Sequence, residues 1–278
     1  MIKFKTSAPY FFFFLLLSVI LAAGSCKKKE ATPLVTTDPV INSLKDPKLS
    51  DFPLMSVYYE EVKFLITPPK TLSSGAFTYK IAGTGTSVAS VDAATGLVTL
   101  KAPGSVIITA NQAAKNEYKA ASLSTFLDVK IKTGTSYGGG IVVKVEPNEM
   151  HGLIAATIDI GPANGSPWSD LDSSPPLIGN TDASHGALNT AEIIKKQGNT
   201  GTYAAKLCKE YKGGGYDDWF LPALNELVCL NVTSPSTYWS SSEIDLNNSY
   251  TISFPYSASS LQSFNKQFPL QVRSFRAF

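Results

Sequence analysis

The chain has 278 residues, enough for two domains with separate cores, and its 44% hydrophobic and 17% charged content excludes a disordered or fibrous chain. Its 24 basic residues exceed the 22 acidic ones only through Lys3 and Lys5, which lie in a segment read below as removed. The remainder is neutral, and without a basic stripe it has little attraction for phosphate backbones, which sets nucleic acid aside as a partner.

The N-terminus opens with Lys3 and Lys5 and continues into the apolar run YFFFFLLLSVILAA, residues 10–23. The run falls short of the ~20 residues needed to span a bilayer, so it reads as part of a signal peptide over 1–25 and not as a membrane helix. It ends in LAAGSC, residues 21–26, with small residues directly before a cysteine. This segment resembles the lipobox of bacterial lipoproteins. The resemblance implies cleavage before Cys26 and acylation there, holding the protein on a membrane by ~0.8 kcal/mol per buried CH2. The expected location is the cell envelope, as an outer-membrane lipoprotein exposed at the surface. Residues 26–54 carry Pro33, Pro39, Pro47 and Pro53, alternating charges and no sustained period. They read as an extended tether.

From 55 to 132 apolar and polar residues alternate. In FTYKI, Phe77, Tyr79 and Ile81 share one face against Thr78 and Lys80; in LDVKIK, Leu127, Val129 and Ile131 oppose Asp128, Lys130 and Lys132. One dry face and one wet face mark antiparallel sheet. Turn signals at Ala94-Thr95-Gly96 and Pro103-Gly104 separate the runs. About seven short strands predict a small sandwich. The run SVASVDAATGLVTLKAPGSVIITANQAA, residues 87–114, resembles the bacterial immunoglobulin-like domains of surface proteins. That resemblance implies an all-β immunoglobulin-like sandwich acting as a spacer that lifts the next domain.

The second domain is expected over 133–278. KTGTSYGGG, residues 132–140, reads as a hinge; IVVKV (141–145) and HGLIAATIDIG (151–161) read as strands. Residues 162–189 form a polar stretch long enough to be a functional loop. Ala204, Leu207, Cys208 and Tyr211 recur at helical spacing and predict a helix with Thr202 as N-cap and Gly213 as stop. Leu224, Leu227 and Val228, after Pro222, predict another, and a shorter helical turn covers 190–196. STYWSSSE, SYTISF and the terminal LQVRSFRAF read as strands, with Val272 and Phe278 as core residues.

Between the two helices stands GGGYDDWFLPALNEL, residues 213–227. Asp217 and Asp218 are adjacent and therefore point in different directions, which suits a structural turn with Trp219 better than an acid/base couple. One of the two acids is expected to accept backbone N–H groups of the turn. The segments YGGGIVVKV, HGLIAA, GNTDASHGALNTAEII, YAAKLCKEYKGGGYDDWFLPALNEL, YWSSSE and VRSFRAF follow one another in order. Over 137–278 they resemble the domain at the C-terminus of the Lcl collagen-like adhesin. The resemblance implies an α+β C-type-lectin-like fold, in the variant shared with formylglycine-generating enzymes, and adhesion to polysaccharide as in some members. Ala223 stands where that family often has Ser or Thr, so the capping box to Glu226 is expected to be absent. The late cysteine pair of the enzymes of this fold is also missing, so no catalytic residue and no enzymatic activity are expected.

For ligand contact, Trp168, Tyr238 and Trp239 are expected to stack on sugar rings while Glu243, Asp245 and Asn247 bond hydroxyls. The other reading of Trp239 is a core residue. Cys208 and Cys229 lie on consecutive helices of an exported chain. They are either free thiols or a disulfide closing a loop of ~20 residues, worth ~3 kcal/mol. His151 and His185 read as loop or fold residues, because no zinc spacing accompanies them. No metal or cofactor is expected; calcium is the one cation that the alternating oxygens of 243–248 admit. Three functions stand side by side. The first is a lipid-anchored adhesin binding polysaccharide, glycan or a surface protein. The second is a structural or fimbria-associated subunit. The third is an envelope glycan hydrolase using Asp217, Asp218 or Glu243.

Overall fold

The computed structural model describes residues 43–278 apart from 84, 172–176, 180 and 258. Cys26, the signal-peptide segment and the tether up to residue 42 lie outside the described residues. The period-two runs become seven strands: β1 (Met55–Tyr58), β2 (Lys63–Leu65), β3 (Phe77–Ile81), β4 (Ala89–Val91), β5 (Leu97–Leu100), β6 (Gly104–Gln112) and β7 (Ala121–Lys130). They form one sheet in the order β1-β7-β6-β3 and a second in the order β2-β5-β4. β6 and β7 pair antiparallel along their whole length, with Val106 opposite Leu127 and Ile108 opposite Thr125. β1 closes that sheet by running parallel to β7. Tyr79, Val98, Ile108, Leu127 and Val129 pack between the sheets, as the alternation requires. The predicted turn at 94–96 is built by Asp92, whose Oδ1 accepts the N–H groups of Ala94 (3.1 Å) and Thr95 (2.8 Å).

Packing against the sandwich begins before β1. Ser50 and Lys70 exchange two backbone hydrogen bonds, Lys45 N–H donates to Glu117 O, and Phe52 packs against the sandwich core. Residues 44–54, expected as the end of the tether, therefore pack against the sandwich, and the compact unit 44–278 that contains it begins at Leu44. Their prolines and charges mimic a linker because the strip is irregular and bonds only at single points.

The second domain runs through β8 (Ser136–Tyr137), β9 (Gly140–Val145), β10 (Gly152–Ala156), α1 (Gly186–Gln197), α2 (Ala204–Glu210), α3 (Leu224–Leu227), β11 (Ser236–Glu243), β12 (Asn248–Phe254), β13 (Leu261–Asn265) and β14 (Phe275–Ala277). Its sheets have the orders β14-β10-β9-β8 and β11-β12-β13. β14 returns the C-terminus beside β10, so the last strand completes the sheet begun by the first. Val272 is fully buried and Phe278 packs at the edge of a core cluster, as read from the sequence. Three details differ. The turn expected at 190–196 is a full helix over Gly186–Gln197. The N-cap of α2 is Tyr203, not Thr202, and that helix ends at Glu210, before Gly213. Tyr203 wins the position because its ring is completely buried, with its hydroxyl on Gly198 O at 2.6 Å. Among the described residues no helix is long and apolar enough to cross a membrane.

The stretch read as a hinge is a packed junction. Ile131, fully buried, joins Val142, Ile154, Ala156 and Trp219 in one cluster, and Tyr59 of the first domain packs against it. Tyr59 and Tyr137 meet edge to face at 5.2 Å, and Tyr137 meets Phe278 at 5.4 Å. Ile131 N–H donates to Glu149 O (2.8 Å), Lys130 pairs with Glu149 (2.7 Å), and Thr135 donates to Glu60. The glycines serve close approach. A Cβ on Gly139 would lie 2.6 Å from Gly213 O and 2.8 Å from Gly214 Cα, at φ +86°. Gly139→Ala is expected to cost at least ~2 kcal/mol, combining an adverse φ with a backbone collision. Gly134, at φ +89° with nothing within 4 Å, isolates the first effect, so Gly134→Ala should cost only ~1 kcal/mol. Urea unfolding of both variants measures the difference; equal losses would contradict the close approach.

Candidate functional site

The aromatic residues expected to stack on a ligand are core residues. Trp168 and Trp239 are 0% exposed and Tyr238 is 1% exposed. Each indole N–H has a backbone acceptor across the fold: Trp168 donates to Ser240 O and Trp239 to Ser166 O, both at 2.9 Å. Tyr238 donates to Asp159 Oδ2 at 3.1 Å and packs edge to face on Phe254 at 5.7 Å. The ligand-stacking role is corrected for all three, because no ring face is left open. The core reading holds for Trp239.

Glu243 is 1% exposed and makes a buried ion pair with Lys266, itself 0% exposed. Its two oxygens also accept the N–H groups of Ile178 (3.0 Å) and Gly179 (2.6 Å). Lys266 donates in addition to Asp245 O (2.8 Å) and Leu246 O (3.0 Å), and lies over the Trp168 ring at 4.7 Å. Burial pulls the Lys266 pKa below its usual value, against the opposing pull of Glu243. The pair thus fastens the end of β11, the end of β13 and the loop at 177–179. Lys196 adds bonds to Leu177 O (3.0 Å) and Ile178 O (2.8 Å).

Asp245 and Asn247 are exposed. Asp245 is used locally: its carboxylate accepts from the Asn248 side chain and from the N–H groups of Asn247 and Asn248, which hold its pKa below the usual range. The oxygens of 243–248 are thereby divided between core and turn and do not converge as a calcium site would require. Among the described residues no group of three or more His, Cys, Asp or Glu is placed to hold a metal.

Trp219 is buried, donates to Gly213 O at 3.2 Å and meets Tyr211 edge to face at 5.0 Å. The two neighbouring acids do not converge. Asp218 pairs with Arg276, which also covers the Tyr216 ring at 3.7 Å; the Asp217 side chain is exposed, and its backbone O accepts from Lys209. The partner of the turn is therefore a guanidinium from β14, not the N–H groups of the turn. At α3 the Glu226 half of a capping box exists: Glu226 Oε2 accepts Ala223 N–H at 2.8 Å and Gly186 N–H at 3.1 Å. Ser242 Oγ from β11 accepts Leu224 N–H at 3.1 Å, in place of the missing cap side chain. His185 Nδ1 and Asp182 Oδ2 lie 2.7 Å apart, and Asp182 also accepts the N–H groups of Ser184 and His185, which makes this cluster the entry to α1. Cys208 and Cys229 are free thiols in separate surroundings, the first in the core and the second half-buried. Burial pushes the Cys208 thiol up to about 12.

Several open clefts remain, and two are the most spacious among the described residues. One, of about 650 Å³, lies beside β9 and β10 and includes Cys229 and Arg273. The other, of about 670 Å³, lies at the domain junction between Tyr59, Lys101 and Ala102 of the first domain and Tyr137–Gly140, Thr157 and Tyr216 of the second. The YGGG run, residues 137–140, lines it, and of the GGGY run only Tyr216 does; the glycines of the second run stand behind Gly139.

The family model for the intimin immunoglobulin-like domain matches residues 66–114. The chain is mostly β-sheet, and its first domain is immunoglobulin-like and of intimin type. No curated protein matches the chain. Among solved structures, a fimbrial protein from Bacteroides ovatus is similar at 15% identity and TM-score 0.34, over 80% of this chain and 69% of that one. An intimin mutant from EHEC O157:H7 is similar at 16% identity and TM-score 0.21, over 82% and 89%. Drosophila N-cadherin EC1-3 is similar at 16% identity and TM-score 0.24, over 32% of this chain, which spans 35% of that one.

Lys266→Met leaves Glu243 buried without its counter-charge and is expected to cost ~3–5 kcal/mol. Adding Glu243→Leu should not restore full stability, since the Ile178 and Gly179 amides then lose their acceptor. Denaturant titration decides; a loss under ~1 kcal/mol for Lys266→Met would contradict the pair. The denatured, unreduced protein should show both Cys208 and Cys229 as titratable thiols, and in the native state Cys229 should react first. Absence of both thiols would restore the disulfide.

Proposed function

We propose that this chain is a non-enzymatic adhesin of the cell envelope. Cys26 carries the lipid, the residues after it form the tether, and the immunoglobulin-like domain presents the second domain to a polysaccharide, glycan or surface protein. The second domain is read as C-type-lectin-like. One observation carries the proposal: an intimin-type domain is packed directly onto a second domain through shared apolar contacts. A presenting domain must transmit orientation to what it presents, and a packed junction does so where a flexible linker cannot. The dispersal of the acids supports a binding role over hydrolysis. Asp217 is exposed, Asp218 is tied to Arg276, and Glu243 is enclosed with Lys266.

A second reading, a structural or fimbria-associated subunit, is favoured by one feature. Ile107 and Phe126 sit opposite each other on the outer face of β6 and β7, 38% and 52% exposed. An outward apolar pair of this kind suits a protein partner. A glycan array probed with the full-length protein in detergent separates the readings. Retention on at least one glycan class is expected; retention on none, with specific capture of an envelope protein, favours the subunit. Cys26→Ala should lose metabolically incorporated palmitate and leave the membrane fraction. Persistent labelling would remove the lipid anchor.

A further inference from the structure

The adhesin reading leaves open where a glycan would sit. The aromatic residues singled out in the sequence are enclosed, so the site must be built from others. The junction cleft is where one exposed ring, Tyr216, two half-buried ones, Tyr59 and Tyr137, and small polar groups converge.

Three tyrosines from three separate segments line it: Tyr59, Tyr137 and Tyr216. Tyr59 and Tyr137 are fixed by their edge-to-face contact. Tyr216, 37% exposed, is backed on one side by Arg276, which Asp218 holds in turn. These rings are ordered before any ligand arrives, so little side-chain entropy is lost on binding. Burial, with the neighbouring Tyr216 and Tyr59, raises the Tyr137 phenol above its ordinary pKa, so it remains a neutral donor. The wall between the rings is Gly138–Gly139–Gly140, which brings backbone groups to the surface of the cleft without side chains in front.

Charge narrows the ligand class. Of the residues lining the cleft, Lys101 alone carries a formal charge, and its ammonium already donates to Thr86 O at 3.0 Å. An anionic ligand would call for a guanidinium fork or several cations. A neutral saccharide needs what is present: the face of Tyr216 away from Arg276 for its C–H surface, and hydroxyl and backbone groups for its polar edge. The volume of about 670 Å³ lies within the ~300–1,000 Å³ usual for ligand pockets. We infer that the cleft between the two domains binds a segment of neutral polysaccharide, so that the immunoglobulin-like domain supplies part of the site instead of acting only as a spacer. The inference rests on the adhesin reading and assigns its contact surface.

The test is calorimetric titration of the full-length protein in detergent with hexamers of β-1,4-glucan, β-1,3-glucan, β-1,4-xylan and α-1,4-glucan. At least one hexamer should bind. Tyr216→Ala removes an exposed ring, and Thr157→Arg adds non-aromatic bulk at an exposed position on the cleft rim. Each should weaken that binding at least about tenfold. Thermal melting checks that the variants fold, and Thr157→Arg, which removes no packed group, decides if Tyr216→Ala does not. Hexamer binding unchanged by the deciding variant overturns the cleft while leaving the adhesin reading intact. Binding of no hexamer overturns the neutral-saccharide assignment. In that case capture of another glycan class or of a surface protein preserves the adhesin reading, and its absence removes both.

Discussion

Backbone meets backbone where Gly139 crosses Gly213 and Gly214, and no side chain could enter between them. Much of the second domain is arranged around that contact. It places Gly213 O where Trp219 Nε1 can donate to it, and Trp219 then closes the cluster formed by Ile131, Val142 and Ile154. It also brings Tyr216 and Asp218 to Arg276 on β14. On its other side Tyr137 reaches Tyr59, and through that ring contact the immunoglobulin-like domain joins the same packed region. A feature that permits flexibility in an isolated peptide here permits close approach instead.

Away from the junction, two apolar clusters, one around Trp168, Ile193 and Trp239 and one around Leu227, Ile252 and Phe275, are tied together by buried polar groups. α1 and α3 pack against β11, and α3 also against β12, with loops beside them. Those loops are held by Glu243 and Lys266, by the indoles of Trp168 and Trp239 and by serines such as Ser242. A buried ion pair has to recover a large desolvation cost, so its contribution lies more in fixing one arrangement of loops than in net stability. Each of its charges meets further partners, which is the condition under which such a pair is tolerated.

The sandwich was legible because its residues alternate. Phe77–Ile81 and Leu127–Lys132 state which side is dry without knowledge of any distant partner. The ligand site was misread for the opposite reason. Trp168, Tyr238 and Trp239 sit among Ser, Asp and Pro, a composition that suggests a wet surface. What encloses them are carbonyls and carboxylates far away in sequence, such as Ser240 O for Trp168 and Asp159 for Tyr238. Glu243 could be paired with Lys266 only once β12 and β13 had been folded back. The glycine runs were visible from the start, but YGGG and GGGY acquire their meaning as a pair in contact. The packing of 44–54 was hidden likewise, since single backbone bonds such as Ser50 with Lys70 leave no periodicity.

The functional reading follows from this joining of domains. An immunoglobulin-like module of intimin type is fastened to a second domain, and the cleft they share has walls from both. A presenting unit with a fixed junction can hold such a cleft open, whereas independent domains would form it only in passing. Spin labels at the exposed positions Lys80 and Lys195, in a variant without the native cysteines, measure this most directly. Pulsed dipolar spectroscopy should give one narrow distance distribution between the two domains. A broad or multi-peaked distribution would mean that the junction bends, contradicting the account at its base.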